Sequence, residues 1–140
     1  MPAAVDEQTA KARIELRLPL PPKELSPNAR LHYQAKAKAA KRYRWEVFAA
    51  SLKHCGATPI ARILLGGPPY RLTETYRFAD RRKRDVRNLF AAFKAGEDGL
   101  VDAGIIPGDD DSVLIHGSPR IERVASKKDE GILVVIEAVV

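Results

Sequence analysis

The sequence predicts a single α/β (α+β) domain: a mixed sheet with two main helices, in the order β-α-β-β-α-β-β. Apolar residues alternate with period two in residues 13–20 and 70–78, as on a half-buried strand. They recur at helical spacings in residues 31–54 and 86–103, and glycine- and proline-rich turns separate the segments. A chain of 140 residues is long enough to bury one sizeable core.

Residues 1–12 are polar and alanine-rich and are expected to form a disordered tail, leaving residues 13–140 as the domain. Ile14, Leu16, Leu18 and Leu20, interrupted by Glu15 and Arg17, mark the clearest strand. Pro19, Pro21 and Pro22 end it because proline cannot donate to a ladder, and Ser26-Pro27-Asn28 makes a turn. Residues 31–54 then read as one long helix closed by Gly56. Lys36, Lys38, Lys41, Arg42 and Arg44 crowd its first half, while Trp45, Val47, Phe48 and Leu52 supply an apolar stripe expected to pack inward. The basic half fits a solvated face or a phosphate-facing one, and the pattern leaves both open.

A short apolar run at 60–65, before Gly66-Gly67-Pro68-Pro69, is expected to be a second strand. Residues 70–78, with Leu72, Glu74, Tyr76 and Phe78, form a third. Val86, Leu89, Phe93 and Leu100 place a second amphipathic helix within 86–103, ended by Gly104. After Pro107-Gly108 and an acidic run, strands at 113–125 and 131–140, joined by a turn at 126–129, complete the chain.

Composition narrows the function classes. Lys plus Arg number 24 against 18 Asp plus Glu, and the resulting +6 favours polyanionic partners such as nucleic acid. Cys55 is the only cysteine, which excludes an intramolecular disulfide and a thiolate zinc cage. His32, His54 and His116 lack metal-ligand spacing and receive no chemistry. Neither a membrane-spanning apolar run nor a signal-peptide pattern is present, so a soluble cytoplasmic protein is expected.

Chemistry concentrates around the second helix. Asp85 precedes it, Asp109-Asp110-Asp111 follow it, and Arg81, Arg82, Lys83 and Arg84 lie just upstream. Carboxylates of this kind hold Mg²⁺, which in phosphoryl transfer activates water and neutralises the departing oxygen, and adjacent basic residues hold the phosphodiester. Solvated loops are the competing reading of the same runs.

The order and spacing of these elements resemble the RusA-type Holliday junction resolvases. That family carries an Asp-x-Asp-Asn element, a lysine soon after, an aspartate four residues further on, then Leu, an Ala-Gly turn and paired aspartates. The corresponding residues are Asp85-Val86-Arg87-Asn88, Lys94, Asp98-Gly99-Leu100, Asp102-Ala103-Gly104 and Asp110-Asp111. Leu18-Pro19-Leu20-Pro21-Pro22, Leu25-Ser26-Pro27-Asn28 and the basic helix extend the similarity to residues 13–140. The resemblance implies a RusA-like fold in a bacterial or phage-encoded homodimer that grips branched DNA, a four-way junction, and makes paired symmetric nicks with Mg²⁺. It implies catalytic roles for Asp85, Lys94, Asp110 and Asp111. Metal ligands would come from Asp85, Asp111, Asp110 and, with no obvious family counterpart, Asp109. DNA contacts are expected from Lys36, Lys38, Lys41, Arg42, Arg81, Arg82, Lys83, Arg84, Arg87 and Asn88. Two departures stand out: Arg87 replaces the second catalytic aspartate, and the gap from Asn88 to Lys94 is longer than in the shorter-spaced members. Loss of that carboxylate leaves a non-cutting binder of branched DNA as the alternative, with a plain dimeric scaffold behind it.

Overall fold

Strand β1 (Arg13–Leu18) buries Ile14, Leu16 and Leu18 and turns Arg13, Glu15 and Arg17 outward, as its alternation requires. The computed structural model describes residues 12–56 and 58–139. The tail expected at 1–12 therefore lies outside the described residues, apart from Ala12. The remaining strands and α-helices are α1 (Tyr33–Cys55), α2 (Ile60–Leu65), β2 (Tyr70–Phe78), α3 (Val86–Ala92), α4 (Lys94–Asp102), β3 (Leu114–His116), β4 (Arg120–Arg123) and β5 (Gly131–Ala138).

The strands form one mixed sheet. β5 lies between β1 and β2 and pairs antiparallel with both, while β3 and β4 run parallel to β2 along its other edge. Register places Leu16 opposite Val134 and Leu72 opposite Ile136, so the apolar positions of three strands share one face. Tyr43 and Val47 of α1, Ala61 of α2, Phe93 and Leu100 pack onto that face and close the core. The opposite face carries Arg13, Glu15, Thr73, Thr75 and Glu137.

Four expectations change. Residues 60–65 form helix α2, not a strand. A short apolar run does not itself distinguish the two, and here Pro59 precedes the turn while Gly66, at φ 83°, ends it and donates its N–H to the Arg62 carbonyl. The single helix expected over 86–103 is two, α3 and α4, meeting at Phe93. The fully buried Phe93 ring lies where a Cβ on Gly96 would be, 2.4 Å from its Cε1, and stands edge-on to Tyr43 at 6.3 Å. Instead of one strand over 113–125 there are two short ones, β3 and β4, each paired to a different part of β2. Trp45, placed in the packing stripe, is 65% exposed, because α1 buries the face carrying Tyr43, Val47 and Ser51.

At Gly99 the backbones of α1 and α4 approach closely. A Cβ there would sit 2.6 Å from the Arg44 carbonyl oxygen and 2.9 Å from Val47 Cβ, so only glycine lets the two helices meet at this depth. The contact fixes α4, and with it Lys94, relative to α1.

Candidate functional site

The loop after β2 is built around Arg84. Its guanidinium bonds both carboxylate oxygens of Asp80, at 2.6 and 3.0 Å, and lies 3.7 Å over the Phe78 ring. The Arg84 hydrogen bond, helped by the Arg82 amide, lowers the Asp80 carboxyl to about 2. Arg84 is thus a fastening residue, whereas Arg81, Arg82 and Lys83 stay exposed.

Asp85 is the N-cap of α3, its Oδ1 accepting the Arg87 amide at 2.8 Å. Among the described residues its Oδ2 has no hydrogen-bond partner. The carboxylate borders a groove of about 510 Å³ between this loop and the segment after β1. Lys23, Ser26 and Asn28 come from one side, Arg82, Lys83, Arg84 and Asn88 from the other, with Leu20, Pro21, Leu89 and Ala92 forming apolar lining. Arg87 is exposed on α3.

A second cluster lies at the start of α4. Lys94 donates to Asp98, one turn along, at 3.1 Å and to Asp109 across the 103–113 loop. Burial opposes the charged ammonium, but the bonds to Asp109 and Asp98 outweigh it and raise its pKa. The Lys94 bond in turn lowers Asp109. Asp102, a further turn along α4, takes Arg44 in two bonds of 2.6 and 2.7 Å, which lower its pKa. Asp110 shapes the loop, its Oδ1 accepting the Ser112 amide at 2.8 Å and the Ser112 hydroxyl, which lower its pKa. Asp111 is exposed.

No protein-family model and no curated protein matches the chain.

Of the expected site residues, Arg82, Lys83, Arg84, Asp85 and Asn88 lie around one groove, and Lys94 and Asp109 stand in an ion-paired cluster with Asp98. Among the described residues no three His, Cys, Asp or Glu side chains are grouped to hold a metal ion. Mg²⁺ commonly takes only one or two protein carboxylates, with water and substrate phosphate completing the shell, and the free Oδ2 of Asp85 at the groove suits that role. Lys36, Lys38, Lys41 and Arg42 lie apart, on α1. No helix among the described residues is long and apolar enough to cross a membrane.

Sequence reasoning missed a buried acidic cluster. Glu74, 2% exposed, points from β2 into the core and accepts from the Tyr76 hydroxyl, which also lies 3.2 Å from the Leu89 carbonyl. Burial pushes its carboxyl up to about 8, against the Tyr76 bond and with help from nearby Glu97. Glu97 is itself buried and pairs with His116 Nε2, whose ring stands edge-on to Phe90 at 5.1 Å. The signal was present for Glu74: it occupies an inward position in the alternation Tyr70, Leu72, Glu74, Tyr76, Phe78. Nothing local marks Glu97 or His116 as partners, since 19 positions separate them.

Proposed function

We propose that the protein is a Mg²⁺-dependent endodeoxyribonuclease of the RusA type, acting as a homodimer on four-way DNA junctions and making paired symmetric nicks. The groove at Asp85 carries this reading: one carboxylate with an uncommitted oxygen stands among Lys23, Arg82, Lys83, Asn28 and Asn88. Those cations and amides suit the phosphodiester backbone, and Asp85 suits the metal. Bound Mg²⁺ would supply an activated water and charge neutralisation at the leaving oxygen. Asp109, Asp110 and Asp111 are the further candidate ligands. Lys94 would act as a fixed cation toward the scissile phosphate, exchanging Asp109 for a phosphate oxygen.

A specific observation favours a second reading. Lys94 is held by two carboxylates and Arg87 stands where a ligand would be expected, an arrangement suited to holding branched DNA without cutting it. Incubating purified protein with a synthetic four-way junction, in Mg²⁺ and in EDTA, separates the two. Nicks in Mg²⁺ alone support the nuclease. Retarded junction in EDTA with no nicks in Mg²⁺ supports the binder, and absence of both at low salt removes both readings.

A further inference from the structure

We propose that Trp45 is a stacking platform for an unpaired base of a DNA strand whose phosphates lie along Lys38, Lys41 and Arg42. The inference rests on the DNA-binding part of the reading above and adds the feature of branched DNA that this helix would recognise. Trp45 is 65% exposed on a helix whose buried face carries Tyr43, Val47 and Ser51, so packing does not account for it. With Phe48 one turn on, it lines a largely apolar groove of about 380 Å³.

The surroundings are strongly cationic. Lys38, Lys41 and Arg42 precede Trp45 by seven, four and three positions, which puts them on its side of the helix. All three are exposed, and none has a salt bridge among the described residues. The acid lining the groove, Asp102, accepts from Nε and Nη2 of Arg44, which fixes the guanidinium plane at the groove that Trp45 also lines. An aromatic face beside a guanidinium plane, flanked by free cations, is how sequence-tolerant single-strand sites hold bases and phosphates. A second copy of the chain fits this surface poorly, since a two-fold contact would set Lys38, Lys41 and Arg42 against their own equivalents. Duplex DNA can satisfy the cations but, except at its two ends, offers the indole no open base face.

Position supports a link to the candidate nuclease site. Lys94, Asp98 and Asp102 follow one another at successive turns of α4, so Lys94 and the Arg44–Asp102 pair lie roughly 12 Å apart along the helix. A strand seated at Trp45 can therefore reach the Lys94 cluster within a few nucleotides.

Trp45 is the only tryptophan, so tryptophan emission, excited beyond the tyrosine absorption, reports on this face alone. The probes are an oligothymidylate of about twelve nucleotides and a blunt duplex of the same length, both in EDTA. At matched occupancy, followed by anisotropy of labelled DNA, the single strand should quench the emission and the duplex should not. Trp45→Ala should weaken single-strand binding by about 5- to 150-fold with a much smaller effect on duplex, and Trp45→Phe should recover most of the loss. Lys38→Gln with Lys41→Gln should lower the salt slope for both DNAs. Equal quenching by both DNAs, an unchanged single-strand affinity for Trp45→Ala, or an emission shift that follows protein concentration without DNA would each overturn the proposal. Junction nicking by a Trp45→Ala protein of unchanged single-strand affinity removes this proposal and keeps the nuclease. Single-strand quenching with no nicking does the reverse.

Discussion

The same residue type does different work at neighbouring positions. Arg84, bound to Asp80 and stacked on Phe78, holds the loop shape, whereas Arg82 and Lys83 keep charge available at the groove. Removing Asp111 would take away a candidate ligand and a negative charge beside the proposed DNA path. Asp111→Asn should therefore abolish Mg²⁺-dependent nicking while junction affinity stays equal or rises. A mutant that nicks at the normal rate moves the assignment to Asp109 or Asp110. Arg87 is exposed on the first turn of α3, next to the Asp85 cap, and extends the basic stretch before it. Arg87→Asp is expected to weaken junction binding without improving Mg²⁺ dependence, measured by a gel-shift titration beside a metal titration of nicking. Faster nicking at low metal would show instead that Arg87 fills a lost ligand position.

At the scale of elements, two packing details set the site. α3 and α4 part at Phe93, whose ring fills the space over Gly96, and α4 then lies against α1 through Gly99. Gly99→Ala puts a methyl group 2.6 Å from a backbone oxygen, and overpacking of this kind costs about 1–3 kcal/mol. Denaturant unfolding should show that loss. A smaller one would mean that α1 and α4 slide apart readily, and with them Arg44 and Lys94. The elements were legible where period and punctuation agreed, as in β1 and β2. They were misread where an apolar run was too short to show a period, as at Ile60–Leu65, or where a helix parts at a residue whose own ring is buried against the next turn, as at Phe93. Trp45 was misplaced because spacing within α1 identifies a face, while contact with α4 and the sheet decides which face is covered.

For the molecule as a whole, pH tests the buried cluster. Glu74 titrates near 8 in the fold against 4.5 unfolded, so the folded state holds the extra proton between these values. Its contribution is fully present below about pH 4.5 and is lost as pH rises toward 8, at up to roughly 1.4 kcal/mol per pH unit. Asp80, Asp102, Asp109 and Asp110 are lowered from 3.8, so their contributions are present above that value and fade as pH falls below it. The two effects occupy separate windows. Melting temperature should decline from pH 5 to 8 in the wild type, and Glu74→Gln should flatten that decline. An equal slope in the variant would assign the decline to other groups.

What the sequence determined by itself is local or additive: the net charge, the strands set by alternation, the long basic helix, and the acidic and basic runs beside the second helical region. These follow from residue type and spacing along the chain, and a mixed α+β architecture follows from them. Pairings across distance were decided only by the tertiary structure. Asp109 binds Lys94, Arg44 binds Asp102, Glu97 meets His116, and the loop after β1 joins Asp85 at one groove, because the sheet order and the Gly99 contact bring remote segments together. Charge along a chain says which groups attract. Which pairs form depends on which backbones can approach, and that is set by the packed core.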